Sequence, residues 1–254
     1  MGAFIDIALL TRRALRESIR QPAAEISNIF IPLFFLAVTV GAVGSVAASA
    51  FKVSNFTGFQ VPVAVLQAVA QVSGTAGLGM TQDIQRGYLD KLSLTPSPRL
   101  AIVLGRMMGD AVRAMILTAI IIVVGLIFGS GFEAGPLGAI VLIFGAGIFG
   151  LAYSGLGMAI AIRTGSPQAA QAGFLLFFPL LFLAPAFAPT SVFSPWMQFA
   201  ASINPVTYVL EGMRSLVLDC WDGVALGKAA ISMAGLAAFT FSLTFMALRW
   251  RTNR

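Results

Sequence analysis

Six stretches of this chain run on without a charged side chain: residues 26–51, 53–82, 114–132, 134–162, 164–210 and 229–248. A helix needs about 20 apolar residues to cross a bilayer. Inside the hydrocarbon no water satisfies backbone N–H and C=O groups, so a crossing segment must satisfy them itself. Windows of this length predict an all-α membrane protein. Composition agrees: 58% of the residues are hydrophobic and 10% are charged, whereas a soluble domain carries about 25% charged residues. Mean hydropathy is +0.90.

The windows predict six transmembrane helices at 29–51, 59–81, 108–130, 137–162, 172–189 and 226–248, in one domain covering 1–254. The window at 164–210 is too long for one helix. Pro179, Pro185, Pro189, Pro195 and Pro205 punctuate it, so one span is placed at 172–189, followed by an irregular section and a short helix.

Between the second and third spans lies a charged island. Asp83, Arg86, Asp90, Lys91, Arg99, Arg106, Asp110 and Arg113 put eight of the chain's 26 charged residues into the 34 positions from Met80 to Arg113. A charge at the bilayer centre costs about 2.5–3.5 kcal/mol or more, so the island belongs at a water interface. With the N-terminus inside, 13 Lys and Arg residues fall on the cytoplasmic side, and Lys52, Arg214 and Lys228 stay outside. The positive-inside rule therefore predicts a multi-pass protein with both termini and the island cytoplasmic. The net charge of +6 thus serves topology and anionic headgroups, not nucleic acid.

Residues 3–20 predict an amphipathic helix lying in the membrane surface. Phe4, Ile7, Ala8, Thr11, Leu15 and Ile19 share one side and Asp6, Arg12, Arg13, Arg16, Glu17 and Arg20 share the other, with Ile5 and Leu9 as exceptions. No signal-peptide cleavage pattern follows. Small residues recur every fourth position at Ala37, Gly41, Ser45 and Ser49, and again at Ala146, Gly150 and Ser154. Such ladders let helices approach closely in lipid.

Several signals resemble chemistry. Gly145, Gly147 and Gly150 spell G-x-G-x-x-G, but inside a predicted span with no preceding strand and no acid before Glu211; helix packing explains them. No G-x-x-x-x-G-K-[ST] motif occurs, so the chain has no P-loop of its own. Ser154, between Tyr153 and Gly155, lacks a base, because the chain has no histidine and no lysine nearby. No metal site, cofactor site or catalytic residue is expected. The single Cys220 can form no internal disulfide.

In the second span Gln60, Gln67, Gln71 and Thr75 fall at spacings of 7, 4 and 4, one helical face. Glutamines facing lipid are costly, so this face meets another helix or a wet cavity. Interhelical hydrogen bonding and a translocation route both fit. Phe174, Phe177, Phe178 and Phe182 form an aromatic surface in the fifth span, best suited to lipid contact. Residues 193–223 carry a helix start at Asn204 and Pro205, with Glu211 and Arg214 three apart and able to pair. Trp196, Tyr208 and Trp221 suit headgroup depth. A broken, proline-rich apolar segment of this kind predicts a re-entrant outer element.

Two stretches now resemble a known family. Asp83 to Arg106 carries an acid (Asp83), Arg86-Gly87, Asp90-Lys91-Leu92, Pro98-Arg99 and Gly105-Arg106. Asn204-Pro205-Val206-Thr207-Tyr208, through Glu211 to Arg214-Ser215-Leu216, is the second. Together they resemble type-2 ABC (ATP-binding cassette) exporter permeases, most nearly the daunorubicin-resistance group. Many relatives carry Glu-Arg-Glu where this chain has Asp83-Ile84-Gln85-Arg86.

The resemblance implies a permease that is not itself an enzyme. It would work with two separate ATP-binding cassette subunits, which bind ATP and Mg, and with a second permease copy or sibling. Residues 83–94 would form a coupling helix, with Asp83, Arg86, Gly87, Leu89, Asp90, Lys91 and Leu92 meeting the ATPase. The implied activity is export of amphipathic or hydrophobic small molecules, drug, antibiotic or lipid-like, across a bacterial cytoplasmic (inner) membrane. Export of a lipid-linked saccharide by the same architecture, or a non-transporting assembly or sensor subunit, are the alternatives.

Overall fold

The apolar windows fold as long helices whose mutual contacts fix their directions. A computed structural model describes residues 3–51, 53, 55–74, 76–87 and 99–252. Among these the chain is all-helical. The helices are α1 (Ala3–Ile19), α2 (Pro22–Phe51), α3 (Phe56–Gly74), α4 (Ala76–Gln85), α5 (Arg99–Ile127) and α6 (Gly135–Thr164). They continue with α7 (Pro167–Leu175), α8 (Phe177–Leu183), α9 (Pro195–Ile203), α10 (Pro205–Leu218) and α11 (Gly223–Thr252).

Five stretches are long and apolar enough to cross a membrane: Glu25–Phe51, Phe56–Gln85, Ala101–Ile127, Gly135–Thr164 and Gly223–Trp250. They coincide with five of the six expected spans. The fifth expected span, 172–189, is not one helix. Its apolar helical part, Pro167–Leu183, falls into α7 and α8 with a break at Leu176. Those 17 residues rise only about 25 Å, short of a hydrocarbon core of about 30 Å. Helix α5 begins at Arg99, nine residues before the expected 108, because its charged side chains are paired within the bundle rather than held in a loop.

Helix α3 is the hub. Val61, Val65, Leu66, Ala68, Val69, Ala70 and Val72 are fully enclosed and share one core with Leu117 and Ile121 of α5, Phe149 and Tyr153 of α6, Phe177 and Leu181 of α8, and Val209 and Leu210 of α10. Small residues set the closest approaches. A Cβ on Gly77 would collide with the Gly157 carbonyl, and one on Gly74 would sit 2.6 Å from Phe174 Cα. These contacts seat α3, α4, α6 and α7 backbone to backbone, the geometry expected where lipid supplies no hydrophobic drive.

Helices α6 and α11 run in the same direction. Thr240 Oγ1 donates to Ala152 O at 2.6 Å, Thr244 Oγ1 donates to Gly155 O at 2.8 Å, and Arg163 lies over the Trp250 ring. The chain between Thr164 and Gly223 must therefore travel back along the bundle. It does so in pieces. Gly173 packs beside Gly157, Leu180 meets Asn204, and Ala186 reaches Gln60 near the start of α3.

Candidate functional site

The end of the bundle that carries α1 gathers the charges. Asp83, in the last turn of α4, accepts from Arg13 of α1 at 2.8 Å and from Arg106 of α5 at 2.5 Å. Arg106 also lies 3.6 Å from Glu17 of α1. Arg113, two turns further along α5, pairs with Glu25 of α2 and donates to Asp110 at 2.9 Å. Ser18 donates to Glu25 at 2.6 Å. Two clusters thus hold the end together: one ties α1, α4 and α5, and the other ties α2 to α5 and, through Ser18, to α1. The first exists because α1 can lie against α5: Gly105 and Gly109, four apart, face Leu10 and Ala14, and Thr11 donates to Gly105 O at 3.0 Å. Gly79 leaves the space through which the Arg106 guanidinium passes. The Gly105-x-x-x-Gly109 spacing was legible in the sequence but went unremarked, being set among charges.

The expected coupling stretch 83–94 divides. Asp83 to Gln85 belong to α4. The helix stops there because Gly87 takes a left-handed conformation (φ 64°), and its N–H donates to Ile84 O. Asp83 is buried and engaged by two arginines, so its carboxylate clamps α4 to α1 and α5. Arg86 is exposed. Leu89, Asp90, Lys91 and Leu92 lie outside the described residues.

The glutamine face is only partly one surface. Gln60 is buried and its Nε2 donates to Ala186 O at 3.4 Å. Gln60 and Gln67 line a narrow cleft with Phe35, Thr39 and Phe187, with room of about 10 Å³, hardly space for one water. The Gln67 Oε1 is buried without a partner. Gln71 is buried and engaged. Thr75 lies outside the described residues.

At the opposite end, α9 and α10 form a hairpin that begins inside the bundle. Asn204 caps α10, accepting from Val206 N–H at 3.0 Å, and its Nδ2 donates to Leu180 O at 2.5 Å. Pro205 is level with Ser232, nine residues into α11, whose hydroxyl donates to Pro205 O. Tyr208 donates to Ser202 O and closes the hairpin. The far end of α10 is held where Glu133 and Ala134 N–H groups donate to Val217 and Leu216. Trp196 and Trp221 are exposed.

Arg214 does not pair with Glu211 as expected. Its Nε donates to Phe59 O at 3.1 Å, Nη1 to Pro185 O at 2.6 Å and Nη2 to Ala186 O at 3.1 Å. Burial lowers its pKa, and the nearby Glu211 opposes that shift. Burial raises the Glu211 carboxyl, with Arg214 acting against it. The carbonyls freed where α8 ends thus find a cationic donor, which an irregular backbone buried among apolar helices requires.

The two motifs set aside in the sequence are packing features. Ser154 Oγ donates to its own helix at Leu151 O. A Cβ on Gly147 would collide with Met115, and Gly150 faces Ala114 and Ser73.

A charged helical end and five helices long and apolar enough to cross a membrane mark a multi-pass membrane protein. The chain belongs to the ABC-2 type transporter family, whose match covers residues 6–218. It is 25% identical over 241 residues to the daunorubicin resistance ABC transporter permease protein DrrB1 of Streptomyces coeruleorubidus, covering 93% of this chain and 83% of that one. It is 23% identical over 235 residues to a probable doxorubicin resistance ABC transporter permease protein, DrrC, of Mycobacterium tuberculosis, covering 91% and 81%. It is also 25% identical over 264 residues to the putative transport permease ycf38 of Pyropia yezoensis, covering 97% and 89%. The family makes this chain a membrane permease subunit of an ABC transporter that works with ATP-binding cassette subunits.

Proposed function

We propose that this chain is the permease of an ATP-driven exporter that moves amphipathic or hydrophobic small molecules out of the cytoplasm. The family match over residues 6–218, alongside relatives named as drug-resistance permeases, carries the proposal. Two ATP-binding cassette subunits supply the ATP hydrolysis, since the sequence has no phosphate-cradling motif. A second permease copy or sibling completes the pathway, in a bacterial cytoplasmic membrane with both termini inside.

In this reading α7, α8 and the unwound stretch after Leu183 together make the sixth crossing, since α6 and α11 run parallel and the chain must return between them. The α9–α10 hairpin is the re-entrant element, and α1 lies at the cytoplasmic interface with Ile5 and Leu9 exposed to lipid. The turn after α4, at Arg86 and Gly87, starts the segment that meets the ATPase. Movement there reaches α1 through Asp83–Arg13 and reaches α5 through Asp83–Arg106. The cleft at Gln60 and Gln67 is the closed state of the route.

The test is reconstitution of the chain with its ATP-binding subunit and measurement of ATP-dependent accumulation of a fluorescent amphipath in inside-out vesicles. Accumulation above a catalytically dead ATPase control is expected. No accumulation of any amphipath, and no co-purification with an ATP-binding subunit, would overturn the proposal.

A further inference from the structure

A cavity of about 300 Å³ opens at the charged end between α1, α2, α4 and α5. Its charged lining is Glu17, Glu25, Asp110, Arg106 and Arg113. Arg106 is also bound to Asp83, which in turn holds Arg13. That cluster, Asp83, Glu17, Arg13 and Arg106, is balanced; with the second cluster, Glu25, Asp110 and Arg113, the ion pairs here contain four carboxylates and three guanidinium groups, one negative charge in excess. The excess has a location. Asp110 is 4% exposed, one of its oxygens accepts from Arg113, and the other, Oδ2, is buried with no partner. A buried carboxylate oxygen left without a donor is costly, and a cation or a strong donor relieves it. Gln82 and Asn28 add neutral polar groups to the wall, while Ile26 and Phe30, on α2 beside the cavity, are exposed and apolar.

We propose that this cavity binds a primary ammonium group carried by an amphipath. The ammonium donates to Asp110 Oδ2, and the hydrocarbon lies along the exposed face of α2. A monocation with several N–H donors matches both the excess charge and the orphan acceptor. An anion finds only the buried Nε of Arg113 without a partner, the terminal nitrogens of Arg106 and Arg113 being held by acids, and it adds to the negative excess; a neutral head leaves that excess unbalanced. The ammonium belongs either to a transported amine or to an ethanolamine lipid headgroup. The inference rests on the permease reading only for what the amine does next. Binding itself needs neither ATP nor a partner.

The experiment is equilibrium binding of dodecylammonium to the full chain in nanodiscs of phosphatidylcholine, with dodecyl sulfate as the control. Saturable binding of dodecylammonium, one per chain, and none of dodecyl sulfate is expected. Asp110→Asn weakens it by about tenfold or more. Asn28→Lys, which tethers an ammonium at the wall, abolishes it while leaving Asp110 in place. Adding phosphatidylethanolamine to the nanodiscs separates the sources: competition assigns the site to the lipid, and lack of competition assigns it to a free amine. Equal binding of the ammonium and the sulfate overturns the proposal. So does binding unchanged in both variants. Loss of ATP-driven transport with binding intact would count against the exporter function and leave the site standing.

Discussion

Arg214 sits over the ring of Phe59, 3.4 Å from its centroid, and its Nε donates to the carbonyl of that same residue. Helix α10 is pinned to α3 by one side chain, and the remaining nitrogens hold the unwound corner at Pro185 and Ala186. Arg214→Met removes one donor from each of three buried carbonyls, of which Ala186 O keeps Gln60 and Phe59 O lies within helix α3, so Pro185 O loses most. At about 1–3 kcal/mol for an unsatisfied buried group, the purified chain should melt roughly 2–12 °C lower. Arg214→Lys should fall between, because an ammonium carries charge but not the planar fork. Thermal unfolding in detergent, followed by circular dichroism, checks the order.

That contact also marks where the sequence stops being legible. Glu211 is the partner that helix spacing offers Arg214, because spacing sees only neighbours three or four residues away. The carbonyls that hold it belong to residues 28, 29 and 155 positions distant, and nothing in a one-dimensional pattern announces a free carbonyl. The long spans were legible because hydrophobicity needs no partner. Pro96 and Pro98 mark the start of the helix that carries the third span, and α5 begins at Arg99; what spacing did not show is which partners its charges meet beyond the Asp110–Arg113 pair. The prolines foretold an irregular section after 172–189, but not the interruption inside that stretch at Leu176, nor that Tyr153 would donate to the Gly173 carbonyl. In the candidate site, the expected helix 83–94 carried no stop at Gly87, where α4 ends, and the inward turn of Asp83 left no one-dimensional signal either.

Asp83 should behave as a joint. Removing its charge by Asp83→Asn loosens both Arg13 and Arg106. Because the Arg13 side chain is 40% exposed and that of Arg106 only 16%, the coupling should be weaker with the first and stronger with the second. A double-mutant cycle pairing Asp83→Asn with Arg106→Gln should give about 1–3 kcal/mol. The cycle with Arg13→Gln should give about 0.2–1 kcal/mol. Equal values from urea unfolding in mixed micelles would refute the asymmetry.

Glycines of similar appearance should differ in tolerance. Gly145→Ala adds a methyl into open space, since nothing lies within 4 Å, whereas Gly77→Ala drives one into the Gly157 backbone. Backbone cannot give way as a side chain can, so Gly77→Ala should cost about 1–3 kcal/mol and Gly145→Ala almost nothing. Expression yield and melting temperature of the two variants decide it. A strong effect at Gly145 would mean its face is covered by something beyond this chain.

Gln67 separates stability from function. Its Oε1 is buried without a partner in the cleft shared with Gln60, Phe35 and Phe187. Replacing the amide by a similar apolar volume removes an unsatisfied acceptor, so Gln67→Leu should leave stability unchanged or raise it by up to about 1 kcal/mol. A merely structural glutamine predicts nothing further. If the cleft is the closed route, the polar atom is kept for the moment when the route opens and is wetted. Gln67→Leu should then lower ATP-dependent transport severalfold while the melting temperature holds or rises. The two measurements belong on the same preparation, with Gln60→Leu alongside. Gln60 already donates to Ala186 O, so its loss should lower the melting temperature as well. Transport and substrate-stimulated ATPase both unaltered in Gln67→Leu would place the route elsewhere.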